Sequence, residues 1–89
     1  MFEWDEEKNR KNIEKHGMSL AAGCSLLLTN NRIENRSDRD DERRWITTGE
    51  LVGVVLTAVY TSRHGNYRLI SVRRANVYEE RKYRETYPR

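Results

Sequence analysis

Eighty-nine residues make one small domain with little stability in excess. At 36% hydrophobic and 35% charged, the chain is too polar for a transmembrane helix, which needs about 20 mostly apolar residues. The net charge of +3 is unevenly spread: residues 1–62 hold nine Lys/Arg against eleven Asp/Glu, and residues 63–89 hold eight against three. That basic last third suits either a polyphosphate partner or a solvated helix. The single Cys24 has no partner for an internal disulfide, and the opening Met1-Phe2-Glu3-Trp4 is not a basic-then-apolar leader, so a cytoplasmic protein is expected.

The first helix is predicted over residues 5–16. Asp5 is a good N-cap, Glu6 and Glu7 suit the positive helix end, and Gly17 is placed to stop it. Its inner stripe is thin, with Trp4, Ile13 and the stems of Lys8 and Asn12 the candidates, so it should lie on the surface of a sheet. Ser19 is expected to cap a second, more apolar helix over 20–28, with Ala21, Cys24, Leu27 and Leu28 turned inward, broken by Thr29-Asn30-Asn31.

Residues 32–41 are so charged that only Ile33 suggests a strand, and Ser37-Asp38-Arg39-Asp40-Asp41 reads as a hairpin loop. A strand over 44–48 is closed by Gly49, and the nearly continuous apolar run over 51–61 reads as a central strand buried on both faces. His64-Gly65-Asn66 makes a turn, 67–73 forms the last strand, and Asn76 begins a closing helix that Pro88 ends. The expected fold is α+β, one domain over 1–89: two N-terminal helices, an antiparallel sheet of three to four strands, and a C-terminal helix.

The chain has no glycine-rich phosphate loop, no paired-cysteine metal spacing and no nucleophilic Ser or Cys in a known motif. Asp38, Asp40 and Asp41, with His16 or His64, have the chemistry of a hard-cation site, but their interleaving with Arg39, Arg43 and Arg44 reads better as solvated counter-charge; no metal or other cofactor is expected. What remains is Arg, Lys, His, Glu, Ser and Tyr, a set that suffices for metal-free RNA cleavage. RNA supplies its own nucleophile in the ribose 2′-hydroxyl, and the protein need only align it, move protons and stabilise the charged transition state. Strict alternation over 67–73 puts Ser71 and Arg73 on one face and Arg68 on the other, unless the strand carries a bulge. Structural roles compete with each of these: Arg73 can pair with Glu42 or Glu79, Tyr83 can be packing, and His16 can serve as a charge at a helix end.

Phe2-Glu3-Trp4-Asp5, Lys8, Asn12, Lys15-His16-Gly17, Arg44-Trp45, Gly49, Val59-Tyr60-Thr61 and the run Arg68-Leu69-Ile70-Ser71-Val72-Arg73-Arg74-Ala75, with Glu79 and Tyr83, closely resemble the BrnT family over nearly the whole chain. The resemblance implies a type II toxin: a ribonuclease of RelE-like fold that inhibits translation. It also implies a BrnA-like antitoxin whose ribbon-helix-helix domain binds operator DNA. Two departures stand out. Leu20-Ala21-Ala22-Gly23-Cys24 replaces the family's aromatic-and-acidic pattern, so the second helix should be repacked, and Arg43 stands where the family commonly has a second acid before Trp45.

The expected function is therefore a metal-independent endoribonuclease toxin. Arg63, Arg68, Arg74 and Arg44 would hold phosphate with Arg73; His16, Lys15, Glu42 and Tyr83 are the proton-transfer candidates, and Ser71 would orient the site. The partners expected are RNA and the antitoxin, which should approach the same basic face, with operator DNA reached only through the complex. The alternative is a non-catalytic or degenerate basic module that binds antitoxin or nucleic acid. A DNA-binding regulator acting alone lacks a helix-turn-helix pair.

Overall fold

The computed structural model describes residues 1–39 and 42–89. The elements run β1 (Phe2–Glu3), α1 (Glu6–His16), α2 (Ala21–Leu27), β2 (Arg32–Arg39), β3 (Glu42–Leu51), β4 (Val54–Arg63), β5 (Asn66–Arg74) and α3 (Val77–Thr86). This is the expected α+β class, but the sheet has five strands in the order β1-β5-β4-β3-β2 and is mixed, because β1 pairs parallel to β5. β1 escapes sequence reading because two residues are too few to show a period. Asp40 and Asp41, the centre of the expected hairpin loop, lie outside the described residues. Ser37, Asp38 and the backbone of Arg39 belong to the strand, since β2 is held by register with β3 rather than by its own apolar pattern.

The caps of α1 form as its sequence requires. Asp5 accepts the backbone N–H groups of Glu7 and Lys8 at 2.8 and 3.3 Å, and Gly17, at φ 72°, donates to Ile13 O. Its docking follows expectation at Trp4 and Asn12, which turn inward, and departs from it at Ile13. Ile13 is 46% exposed, and the helix is instead held by amides: Asn12 is buried, donates Nδ2 to Met18 O at 2.8 Å and Val72 O at 2.9 Å, and accepts from Val72 N at 3.2 Å. β1 covers β5 only at Tyr67 and Arg68, so Asn12 satisfies a stretch of β5 edge that no strand reaches. Asn9 Oδ1 accepts Leu20 N at 2.7 Å, and Leu20, not Ser19, is the N-cap of α2.

The most deeply buried stripe of α2 is Leu20, Gly23 and Leu26; of the residues expected inward, Cys24 and Leu27 are partly buried against the core, whereas Ala21 and Leu28 are exposed, Leu28 to 69%. Gly23 decides this rotation. A Cβ there would stand 2.5 Å from Leu69 Cδ1 and 2.9 Å from Val72 Cγ2, so glycine lets the helix backbone lie directly on β5. Leu20 and Leu26 then join Leu56, Ala58, Tyr60, Leu69 and Val72 in the main core, each fully buried leucine contributing ~1.5–3 kcal/mol.

Gly49 does not close a strand. It lies inside β3 opposite Leu56 and Arg32, and the hairpin turns at Val52-Gly53 instead. Both Val52 (φ 50°) and Gly53 (φ 79°) are left-handed, as are His64 (φ 52°) and Gly65 (φ 80°) in the next hairpin, the combination that matches strand twist in two-residue turns.

β5 carries the decisive irregularity. Val59 pairs with Ser71, but its neighbour Tyr60 pairs with Leu69, leaving Ile70 as an extra residue. The bulge lets Leu69 and Val72, three apart, both face α2, which alternation alone forbids.

Candidate active site

The consequence of the bulge is on the opposite face. Arg68, Ser71 and Arg73 pair with Thr61, Val59 and Thr57, alternate residues of β4, so all three point to the α3 side. The condition attached to Arg68 in the sequence is met. Pairing runs unbroken across the sheet from Ser37 to Arg44, Thr61, Arg68 and Glu3, one row spanning all five strands. Arg44 and Arg68 flank Thr61 in this row, their Cα atoms two strand spacings, about 10 Å, apart. The next row towards α3 holds Asn35, Ile46, Val59 and Ser71, and the next Ile33, Thr48, Thr57 and Arg73.

α3 packs on that last row and beyond it, where Arg84 Nη1 donates to Glu50 Oε1 at 2.8 Å. Asn76 caps it in a reciprocal capping box with Glu79, and Glu79 is the hub of the contact. Arg73 donates Nη1 to Glu79 Oε1 at 2.7 Å and Nη2 to Oε2 at 2.9 Å, and Thr57 Oγ1 donates to Oε1 at 3.1 Å. The Arg73 guanidinium holds the Glu79 carboxyl below its ordinary value, and Glu79 in turn raises Arg73. Of the two pairings open to Arg73, the structure forms the one with Glu79.

The open rows are held more loosely. Arg44 Nε donates to Glu42 Oε1 at 2.7 Å, and Arg68 Nη1 to Glu3 Oε2 at 2.6 Å. Arg68 is the main reason that the Glu3 carboxyl sits below its usual value. Among the described residues each of these arginines gives one N–H to an acid and keeps the rest of its fork, both being about a quarter exposed. Arg63 is exposed at the end of β4 and has no carboxylate partner among the described residues.

The remaining candidates are dispersed. Tyr83 is 4% exposed and donates to Asn31 O at 3.3 Å, so it seats α3 on the chain that leads into β2. Arg74 is exposed beside Gly53, Val54, Ala75 and Glu80. His16 and Lys15 stand in the last turn of α1, the helix clamped to Val72 by Asn12, and among the described residues no hydrogen bond or ion pair joins either to the arginine face. Asp38 pairs with Arg36 through Nε at 3.1 Å. No helix among the described residues is long and apolar enough to cross a membrane.

Sequence reasoning overlooked Glu3 as the partner of Arg68. It also overlooked Arg43 and Trp45, which with Glu42, Thr61, Ser62 and Arg63 line a cavity of about 440 Å³ where β3 starts and β4 finishes. A signal for the bulge was available: Leu69, Ile70 and Val72 are all apolar, a pattern that strict alternation cannot bury on one face.

A family model described as a ribonuclease toxin, BrnT, of type II toxin-antitoxin system matches residues 4–79. No curated protein matches the chain.

Proposed function

Since the chain belongs to the BrnT family of ribonuclease toxins of type II toxin-antitoxin systems, we propose that its arginine face is where RNA is cut, without a metal ion and with the ribose 2′-hydroxyl as nucleophile. The observation that carries this reading is the Ile70 bulge, which places Arg68 and Ser71 on one face in line with Arg44. A phosphodiester lying over Thr61 would meet a guanidinium on either side. The unspent N–H groups of Arg44 and Arg68 would stabilise the additional negative charge of the pentavalent transition state.

Among the proton-transfer candidates the reading favours Glu42. It lies on this face beside Arg44, which among the described residues bonds its Oε1, and its Oε2 would take the 2′-hydroxyl proton. O2′ then attacks phosphorus, the bond to the 5′-oxygen breaks, and that oxygen takes a proton from water. The products are a 2′,3′-cyclic phosphate and a 5′-hydroxyl. Ser71, one row away, would orient the ribose, while Arg73, with both nitrogens on Glu79, fixes α3 behind the site. Lys15, His16, Tyr83 and Arg74 stand outside this reading.

A type II toxin acts with an antitoxin partner. The reading adds that the partner is BrnA-like, reaches operator DNA through its own ribbon-helix-helix domain, covers the arginine face, and meets the toxin in the cytoplasm. Incubating partner-free protein with RNA in EDTA tests the chemistry. Cleavage with cyclic-phosphate ends that Glu42→Gln slows without weakening RNA binding supports it. Cleavage only on adding a divalent cation, or no effect of Glu42→Gln, overturns it. Free RNA left intact would indicate ribosome-dependent action or the alternative, a binding module.

A further inference from the structure

The cavity at the start of β3 and the end of β4 lies at the rim of the sheet, adjoining the row that contains Arg44 and Thr61. Four features make it more than a gap between strands. Trp45 is half-buried and presents part of its indole there. The Arg36 guanidinium stands over the indole, 5.9 Å from the ring centroid. Arg43 and Arg63 are both exposed, and among the described residues neither is paired with a carboxylate. The volume of about 440 Å³ accommodates a single nucleobase with its sugar.

Trp45 points to the core side of the sheet, in a row with Arg36, Tyr60 and Leu69, whereas Arg44 points to the arginine face. A strand of RNA that leaves the arginine face over this rim therefore passes Arg63 and Arg43 and arrives at Trp45. A cationic rim followed by an aromatic ring is the arrangement that binds single-stranded nucleic acid, with phosphates on the cations and the base stacked on the ring.

We infer that this rim cavity is a flanking-nucleotide subsite, in which the base next to the cut phosphate stacks on Trp45 and its phosphates lie against Arg43 and Arg63. The inference rests on the RNA-cutting reading of the arginine face and extends it to a site on the far side of the rim. A stacked base has no hydrogen-bond code of its own, so the subsite adds affinity for unpaired RNA of any sequence and excludes duplex, whose bases are not free to turn out.

The experiment compares affinities for two probes: a short single-stranded oligoribonucleotide with 2′-O-methyl riboses, which cannot be cut, and an abasic chain of the same length. Trp45→Leu keeps an apolar side chain against the core but removes the aromatic face. It should weaken the oligoribonucleotide about tenfold and leave the abasic chain unchanged. Arg43→Ala, at an exposed position, should weaken both probes alike and lower the salt slope by about one unit. Circular dichroism confirms that each variant is folded; should Trp45→Leu fail, Trp45→Phe, which retains a smaller stacking surface, gives the same comparison with a smaller loss. Equal binding of the oligoribonucleotide by wild type and the tryptophan variant, or an equal loss on both probes, overturns the subsite. If wild type itself neither cuts RNA nor binds the oligoribonucleotide, the cleavage reading fails with it, an outcome distinct from a wild type that cuts RNA and is indifferent to Trp45.

Discussion

Arg68 and Arg73 lie five residues apart on one strand and one face, yet they are held in different ways. Under α3, Arg73 gives both terminal nitrogens to Glu79, which also collects Thr57 and the backbone of Asn76. In the open rows, among the described residues, Arg68 gives a single N–H to Glu3, and Arg44 a single N–H to Glu42. The same residue type is a fastener at the covered end and keeps unspent donors at the open end. What separates them is how much of the guanidinium fork the protein uses for itself, and this is visible only in the bonds.

Exchanging the phenotypes of the two arginines is the strongest way to break this comparison. Arg68→Ala or Arg44→Ala should lower the rate of RNA cleavage by about 10²- to 10³-fold, with the unfolding midpoint little changed. Cleavage kinetics beside urea denaturation would show it. Arg73→Ala should act mainly on stability, by about 2 kcal/mol, because it leaves a half-buried Glu79 without its cation. A large loss of cleavage at unchanged stability for Arg73→Ala would place that residue back among the phosphate ligands.

Acid sharpens the same contrast. Arg73 holds the Glu79 carboxyl below its ordinary value of 4.5. A lowered carboxylate pKa contributes stability that is complete above the ordinary value and is lost as pH falls through the lowered one. Urea midpoints of wild type should therefore fall on going below about pH 4.5, and Glu79→Gln should start lower by about 1–2 kcal/mol and fall less steeply. Identical slopes would mean that Glu79 is not a main source of acid sensitivity. Glu3, lowered by Arg68, belongs to the same window but is more exposed to solvent, so Glu3→Gln should flatten the slope less.

The smallest effect serves as a control remote from both arginines. Val52 is 96% exposed and holds φ 50°, a left-handed conformation that a β-branched side chain resists. Val52→Asn should raise stability by up to ~1 kcal/mol and leave cleavage untouched. A change in cleavage would mean that this turn communicates with the arginine face.

Much of the local structure was legible in the sequence because it depends on near neighbours. Asp5 and Gly17 bound α1 through bonds within a few residues, and Asn76 begins α3 for the same reason. His64-Gly65 likewise marks a turn through its own backbone preferences. The inward face of α2 was legible only in part, at Cys24 and Leu27, since Gly23 matters only once Leu69 and Val72 lie beneath it. Nor was the strand in the charged segment at 32–39, which forms because β3 offers it a ladder. Of the candidate site, the basic residues were readable as a group, but their division into fasteners and free donors was not.

The sequence by itself determined the α+β class, the caps of α1 and the start of α3, the basic last third and, through its ordered motifs, the BrnT family. These are properties of neighbouring residues or of composition. Only the tertiary structure decided that Ile70 bulges, that Arg68 thereby joins Ser71 and Arg73 on one face, and that Glu79 occupies Arg73 while Glu3 and Glu42 leave Arg68 and Arg44 partly free. The physical reason is that side chains alternate along a strand, so one residue of register moves every later side chain to the other face. The register of β5 is chosen by the packing of Leu69 and Val72 against α2, a contact between distant parts of the chain.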